Sequence, residues 1–412
     1  MQDNIDIVKI RESLHKIPEL AFCEWNTLSF IVDTIKDCKH IKKEYLPLGT
    51  FDKFKDLIGL LKKEVLIEKD KLIDIPCLKV TIDFNKDGKN LAIRTDMDAL
   101  PINEAKIQGH YPFDHNFASN NCNMHACAHD GHMALLLKTL LYIDKNYEIF
   151  KDKCNLASIS FIFQGAEEGC RGAKVILDSN FLDDIDILYC YHLGMKLPSN
   201  YIATNPTKFL TTIKFKLDIV GKKAHAGYPD KGINALNPLA NIIAKGLNLL
   251  DPKNGFYINF SDVLVPGASN IIPDFATCQG EVRSLNSQNA QNLYLKLQDI
   301  IKKECEAISC SYNLIKKGEA IGIENSKILV NTLNKTVKDT GFLIQDNFEF
   351  NASEDASLLI KKVQDNGGLA AHFVIGSDLK AEHHQHNFDF DTKILDKAFT
   401  LIINLITKGL EK

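Results

Sequence analysis

The sequence predicts an α/β layer fold with a smaller βαββαβ unit inserted into it, and two observations carry that expectation. First, short apolar runs alternate with amphipathic ones along most of the 412 residues. "CLKVTIDF", "NLAIRTD", "LASISFIFQ", "DILYCYH" and "AAHFVIG" have the length and the β-branched and aromatic content of strands, whereas 131–145, 324–338, 353–365 and 392–408 carry apolar residues at helical spacing. Strands that are apolar throughout and separated by helices belong to sheets covered on both faces. Second, the rhythm changes between about Thr211 and Gly318. There "TTIKFKLDIVG" suits a strand and "INALNPLANIIAKGLNLL" a helix. "FYINFSDVLV" and "FATCQGEVRS" suit two more strands, 287–308 a long helix, and "SCSYNLIKK" a last strand. That order is the ferredoxin-like split βαβ arrangement. The expected organisation is therefore one α/β/α domain built from 1–208 and 319–412, with 209–318 inserted as a compact domain.

Composition narrows the function. Hydrophobic residues make up 45% and charged residues 25%, with a net charge of −4, so nothing favours nucleic acid or an anionic membrane as a partner. No basic stretch followed by an apolar run opens the chain, and no uncharged apolar segment approaches the about 18 residues that span a bilayer. Of the eleven cysteines, Cys154, Cys190, Cys278 and Cys305 sit singly in apolar runs, as small buried hydrophobes do. A reducing, cytoplasmic setting is expected, in which a cysteine beside histidines points to metal or catalysis.

Five short stretches carry chemistry. In "NLAIRTDMDALP" a buried strand runs out into Asp96 and Asp98, with Pro101 closing the turn; ligand sites in α/β sheets lie at such strand ends, although aspartates also cap turns. "NMHACAHDGH" places Cys127 and His129 two apart in a helix-entry loop, where the helix dipole favours a thiolate. Metal ligation, a nucleophilic cysteine and a plain polar loop all fit this run taken alone. "FIFQGAEEG" ends a strand in the pair Glu167 and Glu168 between Gly165 and Gly169. Neighbouring strand residues face opposite ways, so only a bend can aim both carboxylates at one site; otherwise they are solvated surface charges. "LYCYHLG" leaves His192 at a strand end, as a ligand or a structural histidine, and "AEHHQHNFDFD" gathers His383, His384 and His386 in what could equally be a surface turn. Together they offer sulfur, imidazole and carboxylate, the mixed donor set of a transition-metal hydrolase. Their co-occurrence favours metal.

Taken in order, "RTDMDALP", "MHACAHDGH", "QGAEEG", "YHLG", "KAHAG", "NIIP" and "HHQHNFDFD" resemble the aminoacylase/carboxypeptidase family of two-metal amidohydrolases, from about Arg11 to beyond Asp391. "HACAHDGH", "EEGCRGAK", "SEDASLLIKKVQ" and "HHQHNFDFD" are most similar to its p-aminobenzoyl-glutamate-hydrolysing branch. The resemblance implies a metal-binding α/β/α domain with an inserted dimerisation or lid domain, and two divalent metal ions per subunit, Mn2+ or Zn2+ with Co2+ also compatible. It implies Cys127, His129, Glu168, His192 and His384 as ligands, with His383 the substitute if the register slips by one. Glu167 is implied as general base and Asp98 as the acid that orients the ligands. Asp96 stands where related carboxypeptidases have a ligating histidine. His225 is implied to polarise the scissile carbonyl, often across a dimer, and Asn270 and Arg283 to hold a substrate carboxylate. The implied substrate is a small N-acyl amino acid, p-aminobenzoyl-glutamate above all, with hippurate, N-acetyl amino acids or dipeptides as alternatives. The implied assembly is a homodimer, or a pairing with a related second subunit. A non-catalytic metal-binding subunit is the alternative of another class, and loss of Glu167 or of a ligand would have favoured it. The chain departs from the family in having Gly165 where proline is common, which should loosen the glutamate turn, and in 64–89, which matches no family pattern and bears on substrate access at most.

Overall fold

A computed structural model describes residues 6–408. Its main sheet runs, from edge to edge, Ile41–Tyr45, Leu78–Asp83, Leu156–Gln164, Lys89–Asp96, Ile187–Leu193, Leu369–Ile375, Tyr201–Ala203 and Leu343–Ile344. The four strands from Leu156–Gln164 to Leu369–Ile375 are parallel to one another, and antiparallel pairs flank them. Parallel neighbours need crossovers, and helices supply them on both faces. Period-two alternation sorts each strand between two cores. On Leu156–Gln164, Ile159, Phe161 and Phe163 pack with residues of the helices His129–Lys145 and Ile394–Lys408. Ile162 packs on the other side with the helices Ala356–Asp365 and Gly172–Ile176. Because every strand of this parallel core is buried on both sides, none shows the polar alternation of a half-exposed sheet.

The second sheet has the order Phe256–Leu264, Phe275–Ser284, Thr211–Val220, Ser311–Ala320, antiparallel throughout. Its helices, Leu236–Leu247 and Ser287–Glu306, cover one face, where Leu239, Ile242, Leu297 and Ile301 meet Ile213, Phe215, Leu217 and Ile219. The alternate residues Lys214, Lys216, Glu281 and Arg283 therefore occupy the uncovered face. This sheet meets the larger domain along its edge strand Ser311–Ala320: the Glu319 N–H donates to the Cys170 carbonyl at 2.8 Å, a Cβ on Gly318 would sit 2.1 Å from the Gly169 carbonyl, and Lys317 donates to the Asp56 carbonyl.

Some elements differ from the sequence reading. The helix expected from Gly131 starts at His129, so His129 is its first residue rather than part of a loop. Gly131 is required there by packing, since a Cβ would lie 2.5 Å from the Phe390 ring. The stretch 64–89 forms a small hairpin, Val65–Glu68 with Lys71–Ile73, before the strand Leu78–Asp83. Among the described residues no helix is long and apolar enough to cross a membrane.

Candidate active site

The carboxyl ends of three adjacent parallel strands deliver the site. Past Asp96 the chain turns through Asp98; past Gln164 it turns through Glu167 and Glu168; His192 lies at the end of its own strand. Cys127 and His129 come from the entry to the helix His129–Lys145, and His384 from the loop after the strand Leu369–Ile375.

The ligating atoms of Cys127, His129 and His192 all lie within 4.8 Å of one another, as do those of Cys127, Glu168 and His384, and those of His129, Glu167 and Glu168. All five expected ligands are thus linked through shared members. Local hydrogen bonds aim them. His129 Nδ1 lies 2.8 Å from the Asp98 carbonyl, which leaves Nε2 buried without a hydrogen-bond partner, 3.8 Å from Asp96 Oδ2. His192 Nδ1 lies 2.8 Å from the Leu193 carbonyl, and its Nε2 is 3.5 Å from Cys127 Sγ. Backbone carbonyls that accept from one ring nitrogen set the tautomer and free the other as a donor to a cation. A buried, unpartnered Glu168 Oε1 stands 3.5 Å from His384 Nε2. His383 is otherwise engaged: its Nε2 accepts from the Met195 N–H at 3.0 Å, and its ring packs on Phe388. Unsatisfied buried acceptors are rare in folded chains. Here they converge with a sulfur, so the donor set fits divalent cations.

Charge supports the same conclusion. Burial opposes a proton on His129, yet Asp96, Asp98 and Cys127 raise its pKa well above the ordinary value, and that negative field favours a cation equally. Burial, reinforced by Glu168, pushes the Cys127 thiol above its ordinary range. A thiolate there needs a cation beside it. Burial lifts Glu168 to about 7 against the pull of His129 and Lys214. Burial and the neighbouring Glu354, Glu168 and Asp355 raise Glu167 well above the usual carboxylate range, which suits a group that must take and return a proton.

The bend expected in "QGAEEG" exists, made by left-handed residues at Ala166 (φ +59°), Gly169 (φ +90°) and Cys170 (φ +58°). The Asp98 carboxylate pins it, accepting from the Glu167 N–H at 3.0 Å and the Glu168 N–H at 2.9 Å. Glu24 accepts from the Ala166 N–H at 2.7 Å. Gly165 does not leave the turn loose: a Cβ would lie 2.8 Å from the Pro76 carbonyl and 3.0 Å from the Glu24 carboxylate, so the glycine permits close packing.

Sequence reasoning missed the support beneath. Arg94, fully buried, donates to Gln164 (2.9 Å), Asp96 (3.0 Å), Glu354 (3.2 Å) and Asp355 (2.9 Å). Asp96 also meets His132 Nδ1 at 2.7 Å, while the Leu193 N–H donates to His132 Nε2 at 3.0 Å. His132 and Asp96 are therefore committed to the scaffold. The signal in the sequence was the "RTD" alternation, which puts Arg94 and Asp96 on one strand face and demands a counter-charge for a buried arginine.

These groups open onto a cavity of 480 Å³ that Cys127, Glu167, Glu168, His192, Arg283 and His384 help to line. None of its lining residues falls in 64–89. Arg283 reaches it from the inserted sheet but is held by Glu281 through two hydrogen bonds, 2.8 and 3.0 Å. His225 and Asn270 do not line it. They lie together elsewhere on the insert, where the Ala226 N–H donates to the Asn270 carbonyl at 2.9 Å and exposed His225 accepts from the Gly227 N–H at 3.0 Å.

Fold and site together point to a class: a hydrolase with a candidate metal-ligating cluster at the strand ends of an α/β/α domain. The family model "Peptidase family M20/M25/M40" matches residues 92–408, and the chain belongs to that family of amide-cleaving hydrolases. A p-aminobenzoyl-glutamate hydrolase homolog from Haemophilus influenzae is 31% identical, the alignment covering 98% of this chain and 99% of the relative. An indole-3-acetyl-aspartic acid hydrolase from Enterobacter agglomerans is 33% identical over 76% of this chain and 72% of its own. The fold matches a dinuclear metal-binding M20 peptidase of Bacillus subtilis with TM-score 0.69 at 21% identity, covering 98% and 97% of the two chains.

Proposed function

We propose that the chain hydrolyses the amide bond of an N-acyl amino acid, with p-aminobenzoyl-glutamate the leading substrate. The observation that carries this is the convergence of five donors beside a buried carboxylate, Glu167, whose pKa is raised. The names of the two curated relatives, one on an acyl-glutamate and one on an acyl-aspartate, support the substrate class.

In this reading Cys127, His129, Glu168, His192 and His384 hold two divalent cations. Bound there, the cations supply the Lewis acidity that brings a water's pKa toward neutrality and polarises the scissile carbonyl. Glu167 takes the proton of the attacking water and delivers it to the leaving amine. Asp98 keeps Glu167 and Glu168 in register through their backbone N–H groups. His225 lies outside its own chain's cavity lining, so we assign it to the cavity of a second copy, as an oxyanion donor. This makes the working unit a dimer. Asn270 is assigned with it and Arg283 to the substrate α-carboxylate. The thiolate favours zinc or cobalt on softness grounds, while family resemblance favours manganese. The domain limits that go with this reading are 1–208 with 319–412, and 209–318. All eleven cysteines are unpaired, which supports a reducing, cytoplasmic setting.

The test is turnover of p-aminobenzoyl-glutamate, hippurate, N-acetyl amino acids and dipeptides by protein reconstituted separately with Mn2+, Zn2+ and Co2+. Cleavage of p-aminobenzoyl-glutamate at the highest kcat/KM supports the proposal. Preference for another member shifts the acyl group, and cleavage of none contradicts it.

A further inference from the structure

A second cleft adjoins the metal cavity. Of 370 Å³, it shares Lys214 and Gly169 with that cavity and adds Arg171 and Lys317. Lys214 lies on the uncovered face of the inserted sheet, in register with Glu281 on one side and Gly318 on the other. Gly318 is the residue pressed against the Gly169 carbonyl, so Lys214 stands beside the turn that carries Glu168.

The cross-strand carboxylate that should neutralise Lys214 is occupied. Glu281 spends both oxygens on Arg283. Among the described residues Lys214 has no hydrogen bond or ion pair, although it is half-buried. The cations behind it form no salt bridge among the described residues. Arg171 donates to the Ile58 carbonyl at 3.4 Å with its guanidinium 5.3 Å over the Phe22 ring, and Lys317 donates to the Asp56 carbonyl. Burial, joined by the nearby Arg171 and Lys216, lowers the Lys317 pKa against the pull of Asp56. The carboxylates that face Lys214 are committed elsewhere, Glu281 to Arg283 and Glu168 to the ligand cluster, so the three cations lining the cleft leave room for an added anion. Arg283 lines the metal cavity but not the cleft, whereas Lys214 lines both and so joins the ligand cluster to the cations behind it.

We propose that Lys214, backed by Arg171 and Lys317, forms a subsite for a second carboxylate on the amino-acid half of the substrate, making it the residue that selects acidic over neutral amino acids. The inference rests on the amidohydrolase reading above and extends it to specificity.

The test compares p-aminobenzoyl-glutamate with p-aminobenzoyl-glutamine, which keeps the shape and removes the charge. It uses metal-reconstituted wild type, Lys214→Met and Lys214→Glu. A charge-assisted contact corresponds to about tenfold or more in kcat/KM. The wild type should favour the glutamate conjugate by that ratio, Lys214→Met should bring it to within about threefold of unity, and Lys214→Glu should invert it. Arg171→Met and Lys317→Met should lower it less. A wild-type ratio near unity, or a ratio that survives in Lys214→Met, overturns the assignment. If neither conjugate is cleaved, the activity reading fails separately, and calorimetric binding of free L-glutamate and L-glutamine decides the subsite. Tighter glutamate binding that disappears in Lys214→Met supports it, and equal or absent binding overturns it.

Discussion

The strand-end site and the inserted sheet solve the problem of a charged side chain in opposite ways. At the strand ends almost every polar group is engaged: Arg94 contacts four partners, Asp96 uses both oxygens, and Asp98 uses its carbonyl and both carboxylate oxygens. Two exceptions, His129 Nε2 and Glu168 Oε1, belong to residues of one donor cluster. On the insert, His225 is exposed, Asn270 lies beside it, and Lys214 has no partner among the described residues. The difference teaches that the strand-end donors converge within one chain, whereas the His225 and Lys214 side chains on the insert hold no ion pair among the described residues.

The largest effect belongs to the base. Glu167→Gln should retain metal and lose about 10²–10⁴-fold in turnover, because an amide cannot accept the water proton. More than about a tenth of wild-type activity would remove Glu167 from that role. Next is the scaffold. Arg94→Met leaves Asp96, Glu354 and Asp355 buried without their counter-charge, and urea unfolding should show a loss of about 3–5 kcal/mol. A loss below about 1 kcal/mol would mean that the network does not hold the strand ends.

His225→Ala should cost about 10²–10³-fold, the usual worth of one oxyanion donor. Mixed with inactive Glu167→Gln under conditions of proven subunit exchange, it should recover activity, since one site in the mixed dimer has both residues. Exchange without recovery would return His225 to its own chain or remove it from catalysis.

The smallest effect tests a second buried cluster, away from the insert. Burial raises the Glu104 pKa, but hydrogen bonds with His110 and His15 outweigh it and hold the carboxyl at about 2, below its ordinary 4.5. A depressed carboxylate stabilises the fold above pH 4.5, and that contribution is lost as pH falls toward 2. Glu104→Gln should therefore flatten stability in this window, by on the order of 2 kcal/mol after discounting for screening. An acid-unfolding curve parallel to that of wild type would contradict this.

Much of the molecule was legible because its signals are local. The buried strands announce themselves as apolar runs, the insert by its change of rhythm, and the proposed ligands by rare residue types at strand ends. What stayed hidden depends on distance in sequence or on a neighbour's prior commitment. Nothing near Arg94 reveals that Glu354 and Asp355 lie beneath it, and nothing near Arg11 reveals Asp130 and Asp389, both of which it contacts. Lys214 looks like any polar residue on an alternating strand until Glu281 is seen to be taken by Arg283.

The central claim is that five side chains of one polypeptide hold two cations, and elemental analysis of the reconstituted, desalted protein tests it directly. The account predicts two divalent metal ions per chain; one or fewer would contradict it.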